Sequence, residues 1–158
     1  MKKFAIALII AAGVLSVGLP AGLPEGVGHW TGSELRGFAE TLEPKMNSHK
    51  IATQSLAGYG NHSFLVAHRE GDGEAELHAT QDDVMVVESG EATLVVGGAV
   101  VDPRTTAPHE IRGPSIRGGE KIALAAGDVV HIPIKTAHQM LVASGKQITY
   151  FVVKIDAR

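Results

Sequence analysis

Glu76, His78 and Asp83 stand in the stretch best suited to chemistry, Ala75–Gly98 (AELHATQDDVMVVESGEATLVVGG). Side chains alternate along a strand, so Glu76 and His78 share one face. The polar residues 79–82 form a turn, and Asp83 starts the run Val84–Val87, rich in the β-branched residues that strands favour. Ser89-Gly90 breaks that run, Glu91–Val96 reads as a third strand, and Gly97-Gly98 ends it. An antiparallel meander of this form brings Asp83 back beside His78. Imidazole and carboxylate on neighbouring strands are ligands for a divalent metal. One histidine and two acids are too few, and a partner stands at Gly127–His138 (GDVVHIPIKTAH). There a Gly-Asp turn leads into a short strand, Pro133 ends it, and His138 follows.

Together these stretches resemble the cupin superfamily, whose motifs read G-x5-H-x-H-x3,4-E-x6-G and G-x5-P-x-G-x2-H-x3-N. His78 falls on the second histidine, Asp83 on the glutamate and Gly90 on the closing glycine; Gly127, Pro133 and His138 take their places in the second motif. The chain departs from the pattern at four positions. Glu76 replaces the first histidine, Asp83 is aspartate rather than glutamate, Lys135 replaces the internal glycine, and Val142 replaces asparagine. The resemblance spans about Tyr59–Ile155. It implies an all-β double-stranded β-helix, the cupin jelly-roll barrel, with a ligand at its mouth.

The ligand set that follows from the resemblance is Glu76, His78, Asp83 and His138. Two imidazoles and a carboxylate with open positions are typical of non-haem Fe(II) oxygenases, and Mn, Ni, Zn and Cu remain open. Glu76 either completes a mixed His/carboxylate set or acts with His138 in catalysis as a cavity base. Asp82 is a substitute if Asp83 points away. Without a metal, the same acids and histidines would pair with one another, since a buried lone carboxylate is expensive. Three functions are compatible with this: a metal-dependent oxygenase, isomerase or lyase acting on a small polar molecule; a non-catalytic module binding a small ligand or metal; and a scaffold that assembles through its N-terminal helix.

The elements that must position these residues follow from the rest of the chain. Hydrophobic content of 44% with only 4% aromatics implies an aliphatic core, and no cysteine is present to make a disulfide or thiolate site. A net charge of −3 without a Lys/Arg block argues against a nucleic-acid partner. Lys2-Lys3 and the uncharged apolar run Phe4–Val17 read as a bacterial signal peptide, residues 1–21, with export to the periplasm or medium and membrane contact only during export. Residues 22–50 then form a leader and helix, and residues 51–158 the barrel. Thr31–Glu34 is a capping box opening an amphipathic helix with Leu35, Phe38, Ala39 and Leu42 on one face, ended by Pro44, with Trp30 stapling it down. Ser63–Arg69 is a strand with Phe64, Val66 and His68 on one face and Leu65, Ala67 and Arg69 on the other. His68 reads as a histidine at the barrel rim hydrogen-bonded to backbone, with the cavity wall beside His78 as the alternative. Thr105–Gly119 reads as a long surface loop whose Arg112 and Arg117 are candidates for holding an anionic substrate. His131 reads as structural, and Ile148–Val153 as a strand covered on both sides. Apolar strand edges need covering, so a homodimer is expected.

Overall fold

In the computed structural model, residues 23–157 are described; the stretch read as a signal peptide lies outside them. Among the described residues no helix is long and apolar enough to cross a membrane. Helix α1 (Gly32–Leu42) starts where the capping box predicts. Thr31 and Glu34 satisfy each other's backbone N–H groups, and a short 3-10 turn, Glu43–Lys45, carries Pro44.

Twelve strands follow. The first six are β1 (Ile51–Gly58), β2 (His62–Arg69), β3 (Ala75–His78), β4 (Gln81–Val96), β5 (Ala99–Val100) and β6 (Arg104–Ala107). Then come β7 (Glu110–Gly113), β8 (Ile116–Arg117), β9 (Glu120–Ala125), β10 (Val129–Ile132), β11 (His138–Leu141) and β12 (Ile148–Asp156). Ten of them curl into one sheet, in the order β1-β2-β12-β4-β11-β3-β7-β6 with β9 and β10 also on β4, while β5 and β8 pair separately.

The expected break at Ser89-Gly90 is a bend instead. β4 is one strand of 16 residues that leaves one face of the barrel and enters the other. Its first half pairs with β12 and β10, its second with β9 and β11. Gly90 makes the corner, at φ +78. A Cβ there would lie 2.0 Å from the Gln147 carbonyl oxygen, so only glycine lets the two backbones meet. The meander also needs correcting. β3 pairs with β11 and β7, not with β4. His78 and Asp83 therefore face each other across the barrel interior rather than along a hairpin.

The region read as a surface loop is largely paired, because β7 lies between β3 and β6. Its weak alternation reflects short strands joined by tight turns, with His109 in the left-handed region at φ 66. Two apolar clusters result. The aliphatic interior contains Met85, Val87, Leu94, Ile132, Met140, Ile148 and Val152 with Tyr150 among them. Outside, α1 sets Leu42 against Ala52 and Val66, flanked by Leu35, Phe38 and Phe151. Apart from Tyr150, the described aromatics gather on that outer face: Trp30 packs on Phe64 and Phe151 at ring distances of 5.5 and 6.3 Å.

Candidate metal centre and cavity

Strand register explains each polar contact in the site. Glu76 and His78 project from the same face of β3. Opposite them on β7 stand Arg112 and Glu110, paired with Glu76 and His78 respectively. His138, the first residue of β11, lies opposite Glu76 on the other side. Lys154 of β12 lies opposite Asp83 of β4. Directly opposed residues approach closely enough for side-chain contact, so the sheet delivers three acids, two histidines and two cations to one place.

The two imidazoles lie with ring centres 5.2 Å apart. Donor atoms of Glu76, His78 and His138 all fall within 4.8 Å of one another. The Asp83 carboxylate is 3.3 Å from His78 Nε2 and 3.7 Å from His138 Nε2. Each ring is oriented by its other nitrogen. His78 Nδ1 is hydrogen-bonded to the Glu110 carboxylate, and His138 Nδ1 lies 3.2 Å from the Thr136 carbonyl oxygen. Both Nε2 atoms thus point inward, held by the oxygen contacts that orient metal-binding histidines in general. The donor set fits a divalent ion, whose ligands sit about 2.0–2.2 Å away, after a modest contraction.

The two histidines differ in proton affinity. Burial opposes charge on His78, but hydrogen bonds to Asp83 and Glu110 outweigh it and raise its pKa to about 9. Burial dominates at His138 and lowers its pKa despite nearby Glu76 and Asp83. Asp83 and Glu110 are held below the usual carboxylate range: burial pushes each upward, and the His78 contact, with Lys154 or Arg112, prevails. Without a metal, the site is a neutral imidazole beside an imidazolium caged by acids.

Lys154 is the residue that sequence reasoning missed. Its ammonium lies 2.8 Å from Asp83 Oδ1 and 3.2 Å from His78 Nε2. The signal was available, since β12 alternates and Lys154 shares a face with Tyr150 and Val152; the apolar run before it hid a charge inside the barrel. Glu110, which falls within the stretch read as a surface loop, is the second such residue.

The other sequence candidates fall in different places. Arg112 lines the cavity, but its guanidinium holds Glu76 at 3.0 and 3.3 Å and Glu110 at 2.7 Å. Arg117 is exposed on β8. His68 is buried on the opposite face of β2 from the cavity, with Nδ1 2.9 Å from Thr149 Oγ1. Alternation with Val66 rather than Ala67 sends it there. Asp82 also points away and accepts the Ile134 N–H at 2.7 Å, while His131 is exposed. Lys135, standing where the family pattern has glycine, adopts the left-handed conformation glycine would favour, at φ 60. Its N–H donates to the His78 carbonyl at 2.7 Å.

No family model and no curated protein matches the sequence. Solved structures do match. TT1209 from Thermus thermophilus is 18% identical, with a TM-score of 0.52 over 71% of this chain and 89% of that one. A PAC13 variant from Streptomyces, solved with uridine, is 11% identical, with a TM-score of 0.51 over 72% of this chain and 75% of that one. PAC13 is a cupin-fold protein. The fold is a cupin-like barrel. The cupin-like cavity has a volume of about 240 Å³ and is walled in part by Glu76, Asp83, Arg112, His138 and Lys154.

Proposed function

We propose that this chain is an exported, metal-dependent enzyme acting on a small polar molecule. Glu76, His78 and His138 would hold the ion, with Asp83 at its side, and its identity is one of Fe, Mn, Ni, Zn or Cu. The supporting observation is the convergence of both Nε2 atoms and the Glu76 carboxylate within 4.8 Å, each ring oriented from behind. When bound, the metal would supply Lewis acidity toward substrate oxygens. The chain's own residues supply the remainder. Arg112 fixes the Glu76 carboxylate, Glu110 fixes the His78 ring, and the Lys154 ammonium, held on Asp83, stands beside the site as a proton donor toward a bound substrate. That network favours proton-transfer chemistry, as in an isomerase or lyase, over an oxygenase. The uridine held by PAC13 supports a small-molecule ligand for a barrel of this shape.

Metal loading followed by elemental analysis tests the reading. Near-stoichiometric retention of one transition metal is expected, lost in His138→Ala while the fold persists. Absence of every such metal after loading removes it.

A second reading, a non-catalytic ligand-binding module, is favoured by Lys154. Its ammonium already supplies the positive charge that Asp83 needs. Metal-free protein that binds small ligands without turning them over would decide for it.

Export rests on Lys2-Lys3 and the apolar run after them, and fractionation of cells expressing the full chain tests it. A homodimer would cover the edges left by β1 and β6; sedimentation at micromolar concentration measures it.

A further inference from the structure

The cavity contains a charge that the metal reading does not use. Arg69 ends β2 on the inner face it shares with Leu65 and Ala67, and it is only 4% exposed. The other cavity cations have acid partners: Lys154 has Asp83, and Arg112 has Glu76 and Glu110. Glu74, which lines the same cavity, is paired with Arg104. Among the described residues, no carboxylate forms a salt bridge with Arg69, and its buried Nε has no hydrogen-bond partner. A buried lysine or histidine in this position could shed its proton, but a guanidinium cannot. An unpaired buried cation is costly, so such a group implies an anion that is bound in use.

The surroundings are arranged for one. The guanidinium lies against Gly73, where a Cβ would come within 2.8 Å of Nη1 and 2.9 Å of Cζ. Tyr150, whose hydroxyl adjoins Arg69, lines the same cavity and is a second donor. The charge of the anion is limited by the other wall. Glu76 and Asp83 face the same space, and a dianion such as phosphate would meet their repulsion. A planar monoanion matches the guanidinium fork better. At about 240 Å³ the space is below the ~300–1,000 Å³ of drug-sized pockets, so the molecule is small.

We propose that the cavity takes a small monocarboxylate, its carboxylate forked on Arg69 beside the Tyr150 hydroxyl and its remainder directed toward Glu76, His78 and His138. This assignment rests on the cavity reading given above for the site, but not on metal being bound.

Chelator-treated protein is titrated with lactate, glycolate and acetate, with lactamide as the uncharged isostere and inorganic phosphate as the dianion, read by calorimetry and thermal shift. Lactate or glycolate should raise the melting temperature where lactamide does not. Arg69→Met should lose at least tenfold in carboxylate affinity while melting no lower than the parent, because it removes an unpaired buried charge. Arg69→Lys keeps a charge without the fork and should also lose about tenfold, which preserves the test if the methionine variant misfolds. Because the titrations use chelator-treated protein, carboxylate binding is read with no metal present, so failure of the metal reading and failure of this one are separable. Equal shifts with lactate and lactamide, tighter binding of phosphate than of lactate, no carboxylate binding at tens of millimolar, or unchanged affinity in both Arg69 variants would each overturn the proposal.

Discussion

Replacing Lys154 by methionine keeps the aliphatic stem and removes the ammonium from the centre. Breaking a buried ion pair ordinarily costs about 3–5 kcal/mol, because the remaining charge is stranded. Here the local charges give a different answer. At an effective dielectric of about 20, the Lys154–Asp83 contact at 2.8 Å is worth about 6 kcal/mol, and the opposing Lys154–His78 repulsion at 3.2 Å about 5 kcal/mol. His78 is protonated near neutral pH and stays 3.3 Å from Asp83, so the carboxylate keeps a partner. The difference leaves a loss of about 1 kcal/mol, reduced further because the ammonium no longer has to be desolvated. Urea denaturation of chelator-treated protein at neutral pH, followed by circular dichroism, measures it. Metal affinity should move the other way and rise at least tenfold, since an incoming cation no longer meets a fixed positive charge. A stability loss of 3 kcal/mol or more, or metal binding as weak as in His138→Ala, would refute the shared-charge argument.

Metal-free protein should be most stable near pH 6.5. His78 is raised from 6.5 to about 9, so its contribution is complete below 6.5 and lost as pH rises through about 9. His138 is lowered from 6.5, so its contribution is complete above 6.5 and lost as pH falls toward its folded value. Melting temperatures across this range should fall on both sides, and His78→Gln should abolish the alkaline limb. Gly90→Ala should cost more than about 3 kcal/mol, from a left-handed alanine driven 2.0 Å from a carbonyl oxygen, and show as poor soluble yield or a collapsed melting temperature. Lys135→Gly should instead be neutral or stabilising by up to about 1 kcal/mol in the same melt, since it relieves φ 60 without removing an interior side chain. Glu110→Gln should lower metal affinity about 10–100-fold in a competition titration, because the His78 ring loses its anionic anchor.

Much of this architecture could be read from local chemistry. Thr31 and Glu34 announce the helix start because their reciprocal contacts are confined to four consecutive residues. The face shared by Glu76 and His78 follows from alternation alone. What could not be read locally depends on which strands become neighbours. Arg112 looks like a free cation until β7 is placed beside β3, where Glu76 and Glu110 occupy its donors. His68 is an inward candidate until α1 covers the opposite face of β2, whose buried Val66 shows where that side packs. Lys154 ends an apolar run, and only its register against Asp83 shows that the charge is interior. Gly90 reads as a strand end because glycine punctuates strands in general, whereas here it lets one strand serve both halves of the barrel.

The placement of Trp30 has a practical consequence for spectroscopy. It is the single tryptophan of the chain, and it sits outside the barrel on Phe64 and Phe151, at the entry to α1. Intrinsic emission excited at the indole band therefore reports the docking of that helix and not the filling of the cavity. A red shift that precedes loss of the β-sheet signal would mark peeling of the N-terminal arm as a separate, earlier event. Ligand titrations followed by this fluorophore should be nearly silent even when binding is complete.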